Sequence, residues 1–258
     1  MQSEIFFVYK VIMNRTSEYQ FTIIVPVYNE EANMPALEQA FTDFLPTAAK
    51  CACVLFVNDG SKDRSLELLR EMCGRHEHFY FISFVRNAGL SAAIKAGIDY
   101  VQSPFVGYID ADLQTSPQDF NLLLAYIDDH ELVTGIRVGR KDTRWKRFQS
   151  KFANRFRRMM TGDTAQDTGC PLKVMHTTSA RRVPFFKGMH RFLPALIMLQ
   201  EGRIQQVPVR HFPRVAGESK FSFRNRSIGP LMDCFAFRWM RSRYINYEVG
   251  EDNLAVKA

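Results

Sequence analysis

The chain of 258 residues is 46% hydrophobic and 24% charged, which excludes an intrinsically disordered polymer and allows one large α/β domain with a substantial core. No run approaches the ~18 consecutive apolar residues that a membrane-spanning helix needs, and Met1 to Lys10 lacks both the basic leader and the small-residue cleavage site of a signal peptide. The net charge of +7 conceals an asymmetry: residues 1–136 hold 9 Lys+Arg against 18 Asp+Glu, whereas residues 137–226 hold 21 against 5, a basic block that calls for a phosphorylated substrate, an anionic membrane or nucleic acid.

Residues 1–20 match no nameable element and are expected as an N-terminal extension, with the ordered pattern beginning at Phe21. From there short apolar runs alternate with amphipathic segments. Strands are expected at Phe21–Val27, Val54–Val57, Phe79–Phe84, Phe105–Ile109 and Leu132–Ile136. The helices between them are expected at Glu31–Leu45, Asp63–Cys73, Ala88–Val101 and Pro117–Asp128. This alternation predicts a mostly parallel sheet with helices on both faces, its strand ends gathered along one ligand-binding edge. Beyond residue 136 come a basic helical stretch from Trp145 to Met160, a short apolar segment from Leu172 to Met175, a helix near Phe192–Glu201 and a strand from Ile204 to His211. Ser227–Tyr244 reads as an amphipathic helix in which Ile228, Met232, Phe235 and Trp239 share one face, fit either to lie in a membrane interface or to pack on the domain or a second subunit. The five cysteines are odd in number and fit no disulfide framework, so reduced thiols and an intracellular setting are expected.

Acidic residues fall at three strand ends: Pro26-Val-Tyr28-Asn-Glu30, Asn58-Asp59-Gly60-Ser61 and Tyr108-Ile-Asp110-Ala-Asp112. In an extended backbone Asp110 and Asp112 point to one side, where a hard divalent ion, Mg²⁺ or Mn²⁺, relieves their repulsion. Gln114 adds a neutral ligand if the chain stays extended. Asp59 can accept hydrogen bonds from a nucleobase N–H, Tyr28 can stack on the base, and Glu30 can reach it or cap the first helix. Arg86-Asn-Ala-Gly89 opens the third helix with main-chain N–H groups and an arginine suited to phosphate. Gly89, Ala93 and Gly97 form a small-residue stripe read as close helix packing.

P-V-Y-N-E, V-N-D-G-S, R-N-x-G-x-x-x-A-x-x-x-G and Y-I-D-A-D-L-Q, in this order and spacing, resemble the family-2 glycosyltransferases of the GT-A fold. The similarity is to the branch containing dolichol-phosphate mannose synthase and bacterial polyprenyl-phosphate glycosyltransferases, and it covers roughly residues 21–226. It implies a 21–136 half that binds a UDP- or GDP-linked sugar and a basic 137–226 acceptor-side half, followed by the amphipathic segment 227–258. It implies a donor site around Pro26, Tyr28, Glu30, Asp59, Arg86, Gly89, Asp110, Gln114 and Arg137, with the metal held by Asp112 helped by Asp110. The resemblance continues through Gly135-x-Arg137, Trp145-Lys-Arg147 and Asp167-x-Gly-Cys170, and resumes at Arg214-Val-Ala-Gly217-Glu-Ser219-Lys220. That last element looks like the R-x-x-G-x-S-K signature of the lipid-phosphate branch. In it Arg214 and Lys220 are expected to hold the donor diphosphate and the acceptor phosphate, with Ser219 and Arg147 assisting.

The activity so implied is an inverting, metal-dependent single displacement onto a polyprenyl phosphate at the cytoplasmic face of the membrane, by a peripheral protein able to form homo-oligomers. A phosphate monoester is already an anion and needs no general base, whereas a sugar hydroxyl does. Asp167 stands where hydroxyl-specific relatives carry that base, and here it is expected to orient the site. Transfer to a glycan hydroxyl is the alternative enzyme reading. A nucleic-acid-binding protein is the alternative of another class; it accounts for the charge but not for the acidic strand ends, and no nucleic-acid-binding motif is visible.

Overall fold

The computed structural model describes residues 15–138, 155–213, 223–247 and 250. Among these residues seven strands form one sheet: β1 (Phe21–Val27), β2 (Ala52–Asn58), β3 (Phe79–Ser83), β4 (Phe105–Tyr108), β5 (Leu132–Arg137), β6 (Lys173–His176) and β7 (Ile204–Val209), in the order β3-β2-β1-β4-β6-β5-β7. β1 pairs in parallel with β2 and β4, β2 with β3, and β5 with β7, while β6 is antiparallel to both β4 and β5. Six strands therefore run one way, and their carboxyl ends share an edge with the start of β6. The Leu172–Met175 segment is thus a reversed strand inside an otherwise parallel sheet.

Helices cover both faces. α1 (Met34–Phe44) and α2 (Ser65–Arg75) pack Leu37, Phe41 and Met72 against Phe21, Ile23 and Phe56 on one side, where α4 (Phe120–Leu124) adds Phe120. On the other side α3 (Leu90–Tyr100), α5 (155–161 of the described residues), α6 (Thr177–Arg182), α7 (Leu193–Leu199) and α8 (Phe223–Arg241) enclose Ile24, Leu55 and Tyr108. β1 and β2 have apolar side chains on both faces, which is why they read as unbroken apolar runs. A Cβ on Gly97 would stand 2.7 Å from the Ile24 side chain, so the small-residue stripe is the seam that lets α3 lie on β1.

Three expectations are corrected. The helix predicted over Pro117–Asp128 breaks into two 3₁₀ turns, Pro117–Asp119 and Ile127–Asp129, flanking the five-residue α4. The 31–45 helix likewise opens with a 3₁₀ turn at Glu31–Asn33, and α1 follows. The packed domain also begins before Phe21. Thr16 and Tyr19 are buried, the Thr16 hydroxyl accepts the Gln102 N–H at 3.0 Å, and the Tyr19 hydroxyl lies 2.9 Å from His78 Nδ1 and 3.1 Å from the Tyr80 hydroxyl. All five cysteines are free thiols.

α8 packs on the domain, one of the alternatives expected for the C-terminal helix. Cys234 and Phe237 are buried against the domain, with Phe237 stacked on Phe192 at 5.7 Å between ring centroids. Met232, Phe235 and Trp239 are exposed on its outer side, together with Leu231.

Candidate active site

The carboxyl edge is assembled from loops that hold one another. After β1, Asn29 takes a left-handed φ of 52°. Its N–H donates to Ser61 Oγ at 3.0 Å, its side-chain oxygen accepts the Lys62 N–H at 2.8 Å, and the Glu30 N–H donates to Ser65 Oγ at 2.8 Å. Glu30 also accepts from Asn33 Nδ2 at 2.6 Å and makes no side-chain cap to the turn that follows. Pro26, Tyr28 and Glu30 are half-buried along this edge. Gly60 is left-handed at φ 64°, and a Cβ there would stand 2.5 Å from the Arg86 carbonyl carbon, so only glycine lets the β2 loop pass under the β3 loop.

Asp59 is buried and its carboxylate is committed to the protein. Oδ1 accepts the Ala88 N–H at 2.6 Å, and Oδ2 accepts the Gly89 N–H at 2.9 Å and the Asn87 amide at 2.8 Å. A carboxylate offers about four lone-pair sites, so little acceptor capacity is left for a nucleobase. The 88 and 89 N–H groups expected to meet a phosphate are spent on Asp59. The carboxylate is instead the strut that shapes the exposed Arg86 loop and sets Gly89, at φ 93°, before α3.

The Asp110-Ala-Asp112 pair does not lie in extended chain. Residues 111 and 112 form a turn and Leu113 is left-handed at φ 52°, so the pair is gathered by a bend and not by strand alternation. The Tyr108 hydroxyl donates to Asp110 Oδ1 at 2.5 Å. Burial pushes the Asp110 carboxyl up to about 6; the Tyr108 hydrogen bond opposes the rise and the Asp112 charge adds to it. Gln114 is fixed through its main chain. Its N–H donates to Asp112 Oδ1 at 3.1 Å, and its carbonyl accepts the Phe212 N–H at 2.9 Å and lies 3.1 Å from His211 Nδ1. The straight backbone that would have set its side chain beside the two carboxylates is absent.

Arg137 and Asp167 form a two-point pair, Nε to Oδ2 and Nη2 to Oδ1, each at 2.8 Å, and the Arg137 N–H adds a third bond at 3.2 Å. Both side chains are largely buried. Burial alone would raise the Asp167 carboxyl, but the Arg137 guanidinium outweighs it and holds the group below the usual carboxylate range.

Lys173 and His190 also belong to this edge and carry no local sequence signal beyond a lysine inside an apolar run, whereas Tyr108 opens the motif that holds Asp110 and Asp112. Lys173 is 1% exposed. His190 Nδ1 lies 2.8 Å from Ser91 Oγ in the first turn of α3, and burial, with Arg191 and Lys173 nearby, lowers its imidazole to about 3. Arg210, at the end of β7, donates to the buried Asp119 at 2.9 Å. Arg147, Arg214, Ser219 and Lys220 lie outside the described residues. The described chain reaches Pro213 directly after the Phe212–Gln114 contact.

Chemically, the edge presents two neighbouring carboxylates, of which Asp110 is raised first by its burial and further by the Asp112 charge. Among the described residues no group of three or more His, Cys, Asp or Glu could enclose a metal ion. Two carboxylates with open positions suit a hard divalent cation that completes its shell with phosphate oxygens.

The profile of glycosyl transferase family 2 matches residues 22–187. Among solved structures the chain is similar to glucosyl-3-phosphoglycerate synthase from Mycobacterium tuberculosis in complex with Mn²⁺, UDP-glucose and phosphoglyceric acid, at TM-score 0.63 and 12% identity over 96% of this chain and 89% of that one. It is similar to the same synthase with Mg²⁺ and UDP at TM-score 0.62 and 14% identity, over 94% of this chain and 86% of that one. A likeness at this identity is one of fold, and the fold is the GT-A arrangement of a central sheet flanked by helices.

Proposed function

The chain belongs to glycosyl transferase family 2, and on that premise we propose that it moves a sugar from a nucleoside-diphosphate donor to the phosphate of a polyprenyl lipid. The observation that carries the acceptor class is the Arg137–Asp167 pair. The carboxylate positioned to act as a base is locked by a guanidinium and kept a weak proton acceptor, which a hydroxyl acceptor would not tolerate and a phosphate acceptor does not need. The M. tuberculosis synthase structures, with UDP-glucose and Mn²⁺ or with UDP and Mg²⁺, support a UDP-linked donor and a divalent ion for this chain too.

In this reading Asp110 and Asp112 hold the cation, which when bound supplies positive charge to the departing diphosphate. An oxygen of the lipid phosphate attacks the anomeric carbon, the bond from that carbon to the diphosphate breaks, and the nucleoside diphosphate leaves with the electron pair. Tyr108 steadies Asp110, the loops around Asp59 and Gly60 shape the nucleotide seat with Pro26, Tyr28, Glu30, Arg86 and Gly89, and Arg137 faces the diphosphate. Arg214, Ser219, Lys220 and Arg147 provide the cationic seat for the acceptor. Anchorage of His211 and Phe212 on Gln114 supports this, because the R-x-x-G-x-S-K segment starts two residues later. Residues 21–226 form the catalytic domain, in donor and acceptor halves, and 227–258 the attached segment. No helix of the described residues is long and apolar enough to cross a membrane. The exposed Met232, Phe235 and Trp239, with Arg238 and Arg243 beside them, fit peripheral contact with an anionic lipid surface.

The test is nucleoside diphosphate release with Mn²⁺ and a panel of UDP- and GDP-sugars, offered polyprenyl phosphate in anionic vesicles, phosphoglycerate, or a glycan. Release only with the lipid, with sugar recovered on the sedimented vesicles, is expected. Release with phosphoglycerate or a glycan and none with the lipid would overturn the acceptor assignment. Asp167→Asn is expected to slow transfer about ten-fold through misplacement of Arg137. Because Asp167 is already ionised across the neutral range, the shape of the pH–rate profile should match that of the unaltered protein. A variant as inactive as one lacking Asp112 would instead identify Asp167 as the base.

A further inference from the structure

A lysine is seldom fully buried unless something pairs it, and Lys173 is buried at the centre of the sheet. It is the first residue of β6, the one reversed strand, so it enters the sheet from the catalytic edge. In register it stands opposite Tyr108 on β4 and Thr134 on β5. Tyr108 is the residue that grips Asp110. Thr134 lies three residues before Arg137, which grips Asp167. The Lys173 ammonium donates to the carbonyls of Thr168, at 3.4 Å, and Cys170, which close the short loop between Asp167 and β6. Burial lowers its ammonium from the usual lysine value while the Asp167 and Asp110 charges oppose that fall, and its charge in turn acts on both carboxyls, lowering them.

We propose that Lys173 is a positioning residue that sets the charge of the donor rim: a fixed internal cation beneath Asp110 and Asp167 that weakens divalent-ion binding to the nucleotide-free protein and strengthens binding of the diphosphate once the ion is present. The inference rests on the reading of Asp110 and Asp112 as the cation site. Asp110, Asp112 and Asp167 contribute three negative charges and Arg137 one positive. With Lys173 the rim carries −1, and a divalent ion turns it to +1. Without Lys173 the same rim carries −2 and only reaches neutrality. A neutral rim attracts a diphosphate far less than a positive one in a partly buried site.

Two opposite shifts follow. Lys173→Met, of similar length and apolar, and Lys173→Gln, which keeps a donor for the two carbonyls, are both expected to tighten Mn²⁺ binding to the nucleotide-free protein and to weaken UDP or GDP binding at saturating Mn²⁺, each by about ten-fold. Mn²⁺ is followed by the loss of its free-ion magnetic resonance signal and the nucleotide by calorimetry, with no turnover required. General loosening of the edge would weaken both, so the opposed signs separate a charge effect from a structural one. Unchanged or weakened Mn²⁺ binding in both variants would overturn the proposal, and so would failure of both to fold, which would assign Lys173 to the architecture alone. If the unaltered protein binds neither Mn²⁺ nor nucleotide, the cation-site reading itself fails; if it binds both and the variants match it, only the role of Lys173 fails.

Discussion

Asp112→Asn is expected to abolish sugar transfer, by about a thousand-fold or more, while leaving the melting temperature almost unchanged. The substitution is isosteric, and the asparagine side-chain oxygen can still accept the Gln114 N–H that now bonds Asp112 Oδ1. The turn through residues 111 and 112 and the left-handed Leu113 should persist with that bond. What disappears is one of the two negative groups whose proximity raises the Asp110 carboxyl. Relieved of that neighbour, Asp110 should titrate lower, and Mn²⁺ affinity of the nucleotide-free protein should fall. The comparison requires nucleoside diphosphate release, Mn²⁺ binding and a thermal melt on the same preparation. A variant that melts normally and still turns over within ten-fold of the unaltered protein would remove Asp112 from the site.

Asp59→Asn is expected to damage both fold and donor binding. Each oxygen of this carboxylate is an acceptor: Oδ1 for the Ala88 N–H, Oδ2 for the Gly89 N–H and the Asn87 amide. An amide must turn its NH₂ toward one of these donors, which leaves a buried N–H facing another donor. The loss is about 2–3 kcal/mol, or a melting temperature lower by roughly 5–10 °C in a domain of this size. Because the same three bonds shape the Arg86–Gly89 loop, affinity for the nucleoside diphosphate should drop by about thirty-fold or more. A melting curve that overlays that of the unaltered protein would show that the strut is dispensable.

Most of the sheet could be read in the chain, because a strand buried on both faces has no polar alternation to confuse it: Phe21–Val27 falls where expected, and the half-buried edge strand Phe79–Ser83 within a residue. The acidic ends of β1, β2 and β4 could likewise be placed on one edge, since parallel strands leave no other option. What could not be read was set by contacts between distant segments. The strut role of Asp59 could not be read because nothing local shows that residues 87–89 fold back over it. The bend after Asp110 rests on a left-handed leucine, a residue type that announces no turn. Lys173 drew no notice because its burial depends on carbonyls offered by a loop and on register with two strands remote in sequence. Tyr19 was set outside the domain for the same reason: its partners, His78 and Tyr80, stand on β3.

The reversal of β6 has a consequence for how such an enzyme changes its taste. The excursion that leaves β5 at Arg137 returns to the sheet at Lys173, so it departs and arrives at the same border, buttoned at its two ends by the guanidinium–carboxylate clasp. A stretch of chain with that itinerary is a cassette: it can be lengthened, trimmed or grafted from a cousin without re-threading a single strand. On the acceptor-side role proposed above for this segment, specificity for the receiving molecule becomes a portable trait, while the strand ends that carry Asp59, Asp110 and Asp112 stay in place.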